Sequence, residues 1–153
     1  MNPKYKRLEQ SLYEQVPLAA AMMVTIGALD ENAVVLRAPL RPNVNNKSTV
    51  FAGSATPVAI LAGWSLIHLR LLEEGYVCEI VIQSNRTRFE KPITGDFSVM
   101  ASLAEGSVWG EFKGLLSENG KSHIEVKCVF ECDGHRVGAL SASFVGIIRS
   151  KPR

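Results

Sequence analysis

Residues 43–54, NVNNKSTVFAGS, hold the densest set of groups able to do chemistry in this chain. The amides of Asn45 and Asn46 can place a water or a carbonyl, and the ammonium of Lys47 can meet a phosphate. Gly53 and Ser54 then precede a long apolar run, so the backbone N–H groups around Gly53, Ser54 and Ala55 fall at a helix start, where no intrahelical acceptor awaits them. Glycine lets a ligand approach the backbone, and the positive end of a helix favours an oxygen that gains negative charge during a reaction. An ordinary helix cap behind a solvated, asparagine-rich turn uses the same residues, and spacing alone leaves both readings open.

Other reactive side chains are scattered. Arg86 and Arg88 share one face of an extended run, with Lys91 close by, and suit a phosphate or an acidic protein surface; a charged edge strand guarded against aggregation has the same pattern. His68 falls well inside the apolar helix, His123 and His135 flank strands, and Ser65 has no partner suggesting a nucleophile, so no Ser, His and Asp arrangement emerges. Cys78, Cys128 and Cys132 make an odd set without zinc spacing and read as structural thiols of a reducing compartment.

These groups need elements to hold them. Asn2, Pro3 and the apolar residues Tyr5, Leu8, Leu12 and Val16 predict a first helix over residues 1–16, closed by Pro17 and packing on a domain spanning 17–153. Extended stretches at 22–29 and 33–40, joined by Asp30, Glu31 and Asn32, predict a hairpin. With Ser54 or Thr56 as cap and Pro57 in the first turn, a helix runs to about Glu74 and stops at Gly75. Because Val58, Ile60, Leu61, Trp64, Leu66, Ile67 and Leu69 make it apolar all round, protein must surround it.

The wrapping comes from strands at 78–89 and 97–103 and from a last hairpin turning at Asp133 and Gly134. Val108, Phe112, Leu115 and Leu116 fit a short helix, or a distorted strand, before Asn119 and Gly120. Small residues in the return strand, Gly138, Ala139, Ser141, Ala142, Ser143 and Gly146, leave room for something bulky, and the buried helix is the candidate. The element order indicates an antiparallel α+β fold in one domain of 153 residues. A net charge of +2 makes no case for a nucleic-acid partner, and residues 55–72, interrupted by Ser65, His68 and Arg70, are not expected to span a membrane; with no apolar leader at the N-terminus, a cytoplasmic location is expected.

Segment 43–54 running into a hydrophobic helix with Gly63 and Trp64, the Ile80, Val81, Ile82 run and the corner FEKPITGD at 89–96 together resemble a thioesterase-domain family of the hotdog superfamily, also found fused behind an acetyltransferase domain. The resemblance covers about residues 15–149 and implies a curved sheet around one long helix, dimers or dimers of dimers joined edge to edge, and an acyl-thioester site at the dimer interface. It implies an acyl-CoA or acyl-carrier-protein thioesterase without cofactor or metal, with Asn45, Asn46, Gly53, Ser54 and Thr56 as the catalytic set and Lys47, Phe51, Arg86 and Arg88 as substrate contacts. One departure counts against catalysis: such enzymes commonly carry an Asp or Glu in the first turns of the helix, and none occurs here between Gly53 and Glu73. Glu90 and Asp96, at the Pro92 corner, are the possible substitutes unless they are solvated turn residues. A non-catalytic acyl-CoA-binding or regulatory module is the alternative reading.

Overall fold

A computed structural model describes residues 2–150; Met1 and residues 151–153, which the expected domain bounds include, lie outside the described residues. The chain runs α1 (Pro3–Gln15), α2 (Pro17–Ala21), β1 (Thr25–Leu29), β2 (Ala33–Ala38), a 3₁₀ turn (Arg41–Asn43), α3 (Ala52–Glu73), β3 (Val77–Phe89), β4 (Phe97–Leu103), α4 (Trp109–Asn119), β5 (Lys121–Cys132) and β6 (His135–Ser150). The strands form one antiparallel sheet in the order β1-β2-β4-β5-β6-β3. It curves around α3, which lies against β2 through β6.

Strict alternation sets the inner face: in β5, Ser122, Ile124, Val126, Cys128, Phe130 and Cys132 are buried and the residues between them face out. α3 meets this face with Ala55, Val58, Ala59, Ala62, Gly63, Leu66 and Ile67, all buried. Its composition would let it cross a membrane, yet 56% of that apolar window is buried inside the protein, as befits a core helix. A side chain at Gly63 would reach 2.9 Å from Val126 and 3.1 Å from Phe144, so the helix comes as near to β5 and β6 as backbone allows.

Three expectations change on contact with the fold, and one open choice is decided. Pro17 ends α1 only to open α2, its ring occupying the first helical position. Neither Ser54 nor Thr56 caps α3: the helix starts at Ala52 behind Phe51 with no side-chain cap, which puts Ser54 in the first turn and Pro57 inside the helix. At Gly146 the bulky neighbour is Phe112 of α4, 3.0 Å from where a Cβ would be, rather than the central helix. The segment after Val108 is helical, ending at Gly120 in the left-handed conformation, φ 73°.

The two sheet edges differ. α1 serves the β1 edge: Glu9 Oε1 accepts from the Ile26 N–H at 2.8 Å, Tyr5 Oη from the Leu29 N–H at 3.1 Å, and the Tyr13 hydroxyl donates to the Val24 carbonyl. Among the described residues, β3, thirteen residues long, pairs only with β6 and has no partner on its other side.

Candidate functional site

The site begins with the loop that delivers the chain to α3. Asn43, 1% exposed, donates its amide to the Met22 carbonyl at 2.9 Å and the Pro39 carbonyl at 2.8 Å, and its own carbonyl accepts the Phe51 N–H at 2.8 Å. The Val50 N–H donates to the Ile93 carbonyl at 2.8 Å, tying the loop to the β3–β4 corner. Backbone bonds on both sides of Phe51 thus aim the chain into the helix without help from a capping side chain. Asn43 was invisible as an anchor in the sequence, where it is one turn-forming asparagine among three.

Asn45 is committed to the loop itself. Its Oδ1 accepts the Lys47 and Thr49 N–H groups at 2.8 and 3.1 Å, and its Nδ2 donates to Thr49 Oγ1 at 2.9 Å. This is the work of a turn residue, with little capacity left for a water or a substrate carbonyl. Asn46 and Lys47 are exposed at the tip.

At the helix start, the Ser54 and Ala55 N–H groups both donate to the Phe51 carbonyl, at 2.9 and 3.0 Å. The donors left over are therefore those of Ala52 and Gly53, one step earlier than spacing suggested, because the first two N–H groups of a helix beginning at Ala52 have no helical acceptor. Phe51, 55% exposed, folds its ring over this point: a Cβ on Gly53 would lie 2.2 Å from the ring. Glycine here is a condition of that close contact.

Beside the helix start is a cavity of about 310 Å³ bounded by Val50, Ala52, Phe89, Glu90 and Lys91, with Pro92 and Ile93 behind them. Glu90 is the carboxylate in that lining. Arg136 holds it by one oxygen, with Nε at 3.2 Å and the guanidinium end at 3.1 Å from Oε1, so the grip falls on Oε1 and not on Oε2. Asp96, the other carboxylate expected near this corner, is elsewhere: its Oδ1 accepts the Leu40 N–H at 2.8 Å, and it lines a separate cavity with Arg37, Glu131 and Asp133.

The remaining candidates are not gathered here. Strand register places Arg86 opposite Ser141 and Arg88 opposite Ala139, on the outer face of the sheet, whereas Thr87 and Phe89 share the inner face with Leu140 and Gly138. The two arginines do share a face, but within this chain it is not the face of the helix start. Thr56 is half-buried in α3. His68 stacks on Trp64 with ring centroids 4.5 Å apart, and burial lowers its pKa. The described thiols are free, and burial pushes that of Cys128 up to about 12.

A protein-family model described as "Putative thioesterase (yiiD_Cterm)" matches residues 5–148. Among solved structures, a putative thioesterase from Shewanella oneidensis is similar at 22% identity and TM-score 0.85, over 96% of this chain and 99% of that one. A protein of unknown function from Chlorobaculum tepidum gives 22% identity and TM-score 0.87, over 94% and 93% of the two chains. A thioesterase from Haemophilus influenzae gives 11% identity and TM-score 0.74, over 94% and 90%. At such identities the likeness is one of fold.

Proposed function

The chain belongs to this hotdog-fold thioesterase family, and from that premise we propose that it hydrolyses acyl thioesters at the N-terminus of α3. The observation that carries the reading is the pair of N–H groups without a helical acceptor at Ala52 and Gly53, with Ala52 itself in the wall of a cavity that also holds Glu90. A thioester carbonyl seated on those donors places its oxygen where negative charge develops, and preorganised donors of this kind are among the largest contributions to acyl-transfer rates. Glu90 Oε2 takes a proton from a water as that water adds to the carbonyl carbon; the C–S bond then breaks, the thiol leaves with a proton and the carboxylic acid remains. Arg136 fixes the direction of Glu90 through Oε1. Glu90 thereby stands in for the carboxylate that the helix lacks, and Lys91, lining the same cavity, offers a charge to an anionic carrier.

The substrate class is an acyl-CoA or acyl carrier protein, and the acting unit is a homo-oligomer joined through β3. A cytoplasmic location fits the free thiols. In that oligomer, Arg86 and Arg88 are available to the carrier's phosphates or acidic surface. Purified protein incubated with acyl-CoAs of graded length and a thiol-reactive dye is expected to release free coenzyme A, and absence of release with every chain and carrier defeats the proposal.

One observation favours a second reading, that of an acyl-binding module: α3 has no carboxylate ahead of Glu73. That reading gains if acyl-CoA raises the melting temperature in a concentration-dependent way while the thioester stays intact for hours.

A further inference from the structure

α1 and the last turns of α3 face each other across a cavity of about 560 Å³, inside the range of about 300–1,000 Å³ typical of small-molecule sites. On the α1 side Lys4, Arg7, Leu8 and Ser11 line it, at the spacing that puts all four on one helix face. On the α3 side His68 and Leu72 form one row, and Leu69 and Glu73 the next. The cavity shares no residue with the one beside the helix start, and His68 is fifteen residues, or about 22 Å along the helix axis, beyond Gly53. Leu8 is its buried floor, and Leu72, 55% exposed, stands at its mouth. The His68 ring closes one side, stacked on Trp64 with centroids 4.5 Å apart and planes within 13°.

The charges around this cavity do not cancel. Glu73, the carboxylate in the lining, is paired with Lys4, whereas Arg7 has no ion pair among the described residues. Burial lowers the pKa of His68, so its imidazole adds no charge at neutral pH. One cation is therefore left over beside an apolar floor. We infer that the cavity is a second binding site, for a small molecule with an apolar body and a single carboxylate. Arg7 takes the carboxylate with its planar fork of N–H donors, and Leu8, Leu69, Leu72 and the His68 ring take the body. Ser11 Oγ accepts the Gln15 amide at 2.8 Å and keeps its O–H as a further donor. A neutral molecule would leave Arg7 without a partner, and a phosphate monoester, with a charge of about −1.5 to −2 at pH 7, would bring excess negative charge up to Glu73.

Isothermal titration of the protein with decanoate, 2-naphthoate and decanol tests this without any turnover. The two carboxylates differ only in body, a chain against a flat ring, and binding of either one supports the site while their order tells which body it takes. Decanol keeps the chain without the charge and is expected to bind about ten-fold or more weakly than decanoate, as the loss of a hydrogen bond to a charged group implies. Arg7→Ala is expected to erase that difference and Arg7→Lys to keep most of it, while Leu72→Ser weakens all three ligands about three-fold or more. Arg7 and Leu72 are both exposed, and an unchanged melting temperature shows that each variant keeps the fold. Failure of both carboxylates to bind at millimolar concentration overturns the inference. So does wild-type affinity for decanoate in both Arg7→Ala and Leu72→Ser, which puts the ligand in another cavity. Equal affinity of the wild type for decanol and decanoate removes Arg7 from recognition and overturns it as well.

Discussion

At Glu90, position and energetics point in the same direction. The pair with Arg136 is open to solvent, with side chains 37% and 55% exposed, and exposed pairs of this kind contribute about 0–1 kcal/mol to stability. In the proposed reaction the pair serves to fix the direction of that carboxylate in the cavity beside the helix start. Glu90→Gln keeps the shape and removes the base: kcat is expected to fall by about 10²–10⁴-fold, with KM and melting temperature little changed. A variant with full turnover removes Glu90 from the reaction. Asn45 belongs to the opposite category. Asn45→Ala orphans the Lys47 and Thr49 N–H groups in a partly buried loop, at a cost of about 1–3 kcal/mol in urea denaturation, while Asn46→Ala at the exposed tip stays within about 0.5 kcal/mol. The reverse order would make Asn46 the residue that holds the loop. From the sequence the two asparagines were equivalent, because nothing in their spacing shows which amide turns inward. Glu90 and Asp96 were equally matched there as well; only a contact across 56 residues, from Asp96 to the Leu40 N–H, separates them.

The elements were more legible than the residues. An apolar run without a polar face could only be a surrounded helix, and turn residues at Asp30 and Asp133 located both hairpins. The start of α3 was misread because long-range backbone bonds from Val50 and Phe51 set it, and no local pattern records them. How closely α3 meets the sheet rests on Gly63. Gly63→Ala would gain about 1 kcal/mol of helix propensity and lose about 1–3 kcal/mol to the contacts with Val126 and Phe144, so a net loss of stability is expected. A more stable variant would show that the sheet yields at this point. On the same helix, His68 sits where α1 comes over, near Lys4, Arg7 and Glu73. Burial lowers its pKa from the unfolded value of 6.5, so the unfolded chain binds the proton more tightly. Its contribution is complete above pH 6.5 and is lost as pH falls through the lower folded value. His68→Phe, which retains a ring against Trp64, is expected to flatten the drop in stability between pH 7 and pH 5; an unchanged drop would trace it to other groups.

In the whole molecule, the asymmetry of the sheet edges carries the most weight. Unpaired strand edges are normally blunted by charge, covering elements or bulges, and the β1 edge is covered: Glu9, Tyr5 and Tyr13 of α1 occupy its free polar groups. Among the described residues no element covers the thirteen-residue β3 edge, which exposes Val77 at 53%, Val81 at 48% and Phe89 at 40%. The apolar side chains on this edge, which stand beside Glu79, Arg86 and Arg88, are covered when another strand pairs with it, and a second β3 in antiparallel register is the self-complementary partner that two-fold symmetry provides. The same strand ends at Phe89, one residue before Glu90, and both line the cavity beside the helix start, so pairing there would bring a second copy toward the candidate site. Light scattering on the wild type is then expected to give twice 16.7 kDa, or a higher even multiple. Val81→Lys places a charge in the pairing edge and should bring the mass down to that of a single chain or a looser equilibrium, with loss of thioester hydrolysis in parallel. A wild type that stays monomeric at tens of micromolar, or a Val81→Lys protein that keeps its mass, would place the interface elsewhere. Full activity in a monomeric Val81→Lys variant would show that one chain holds the complete site.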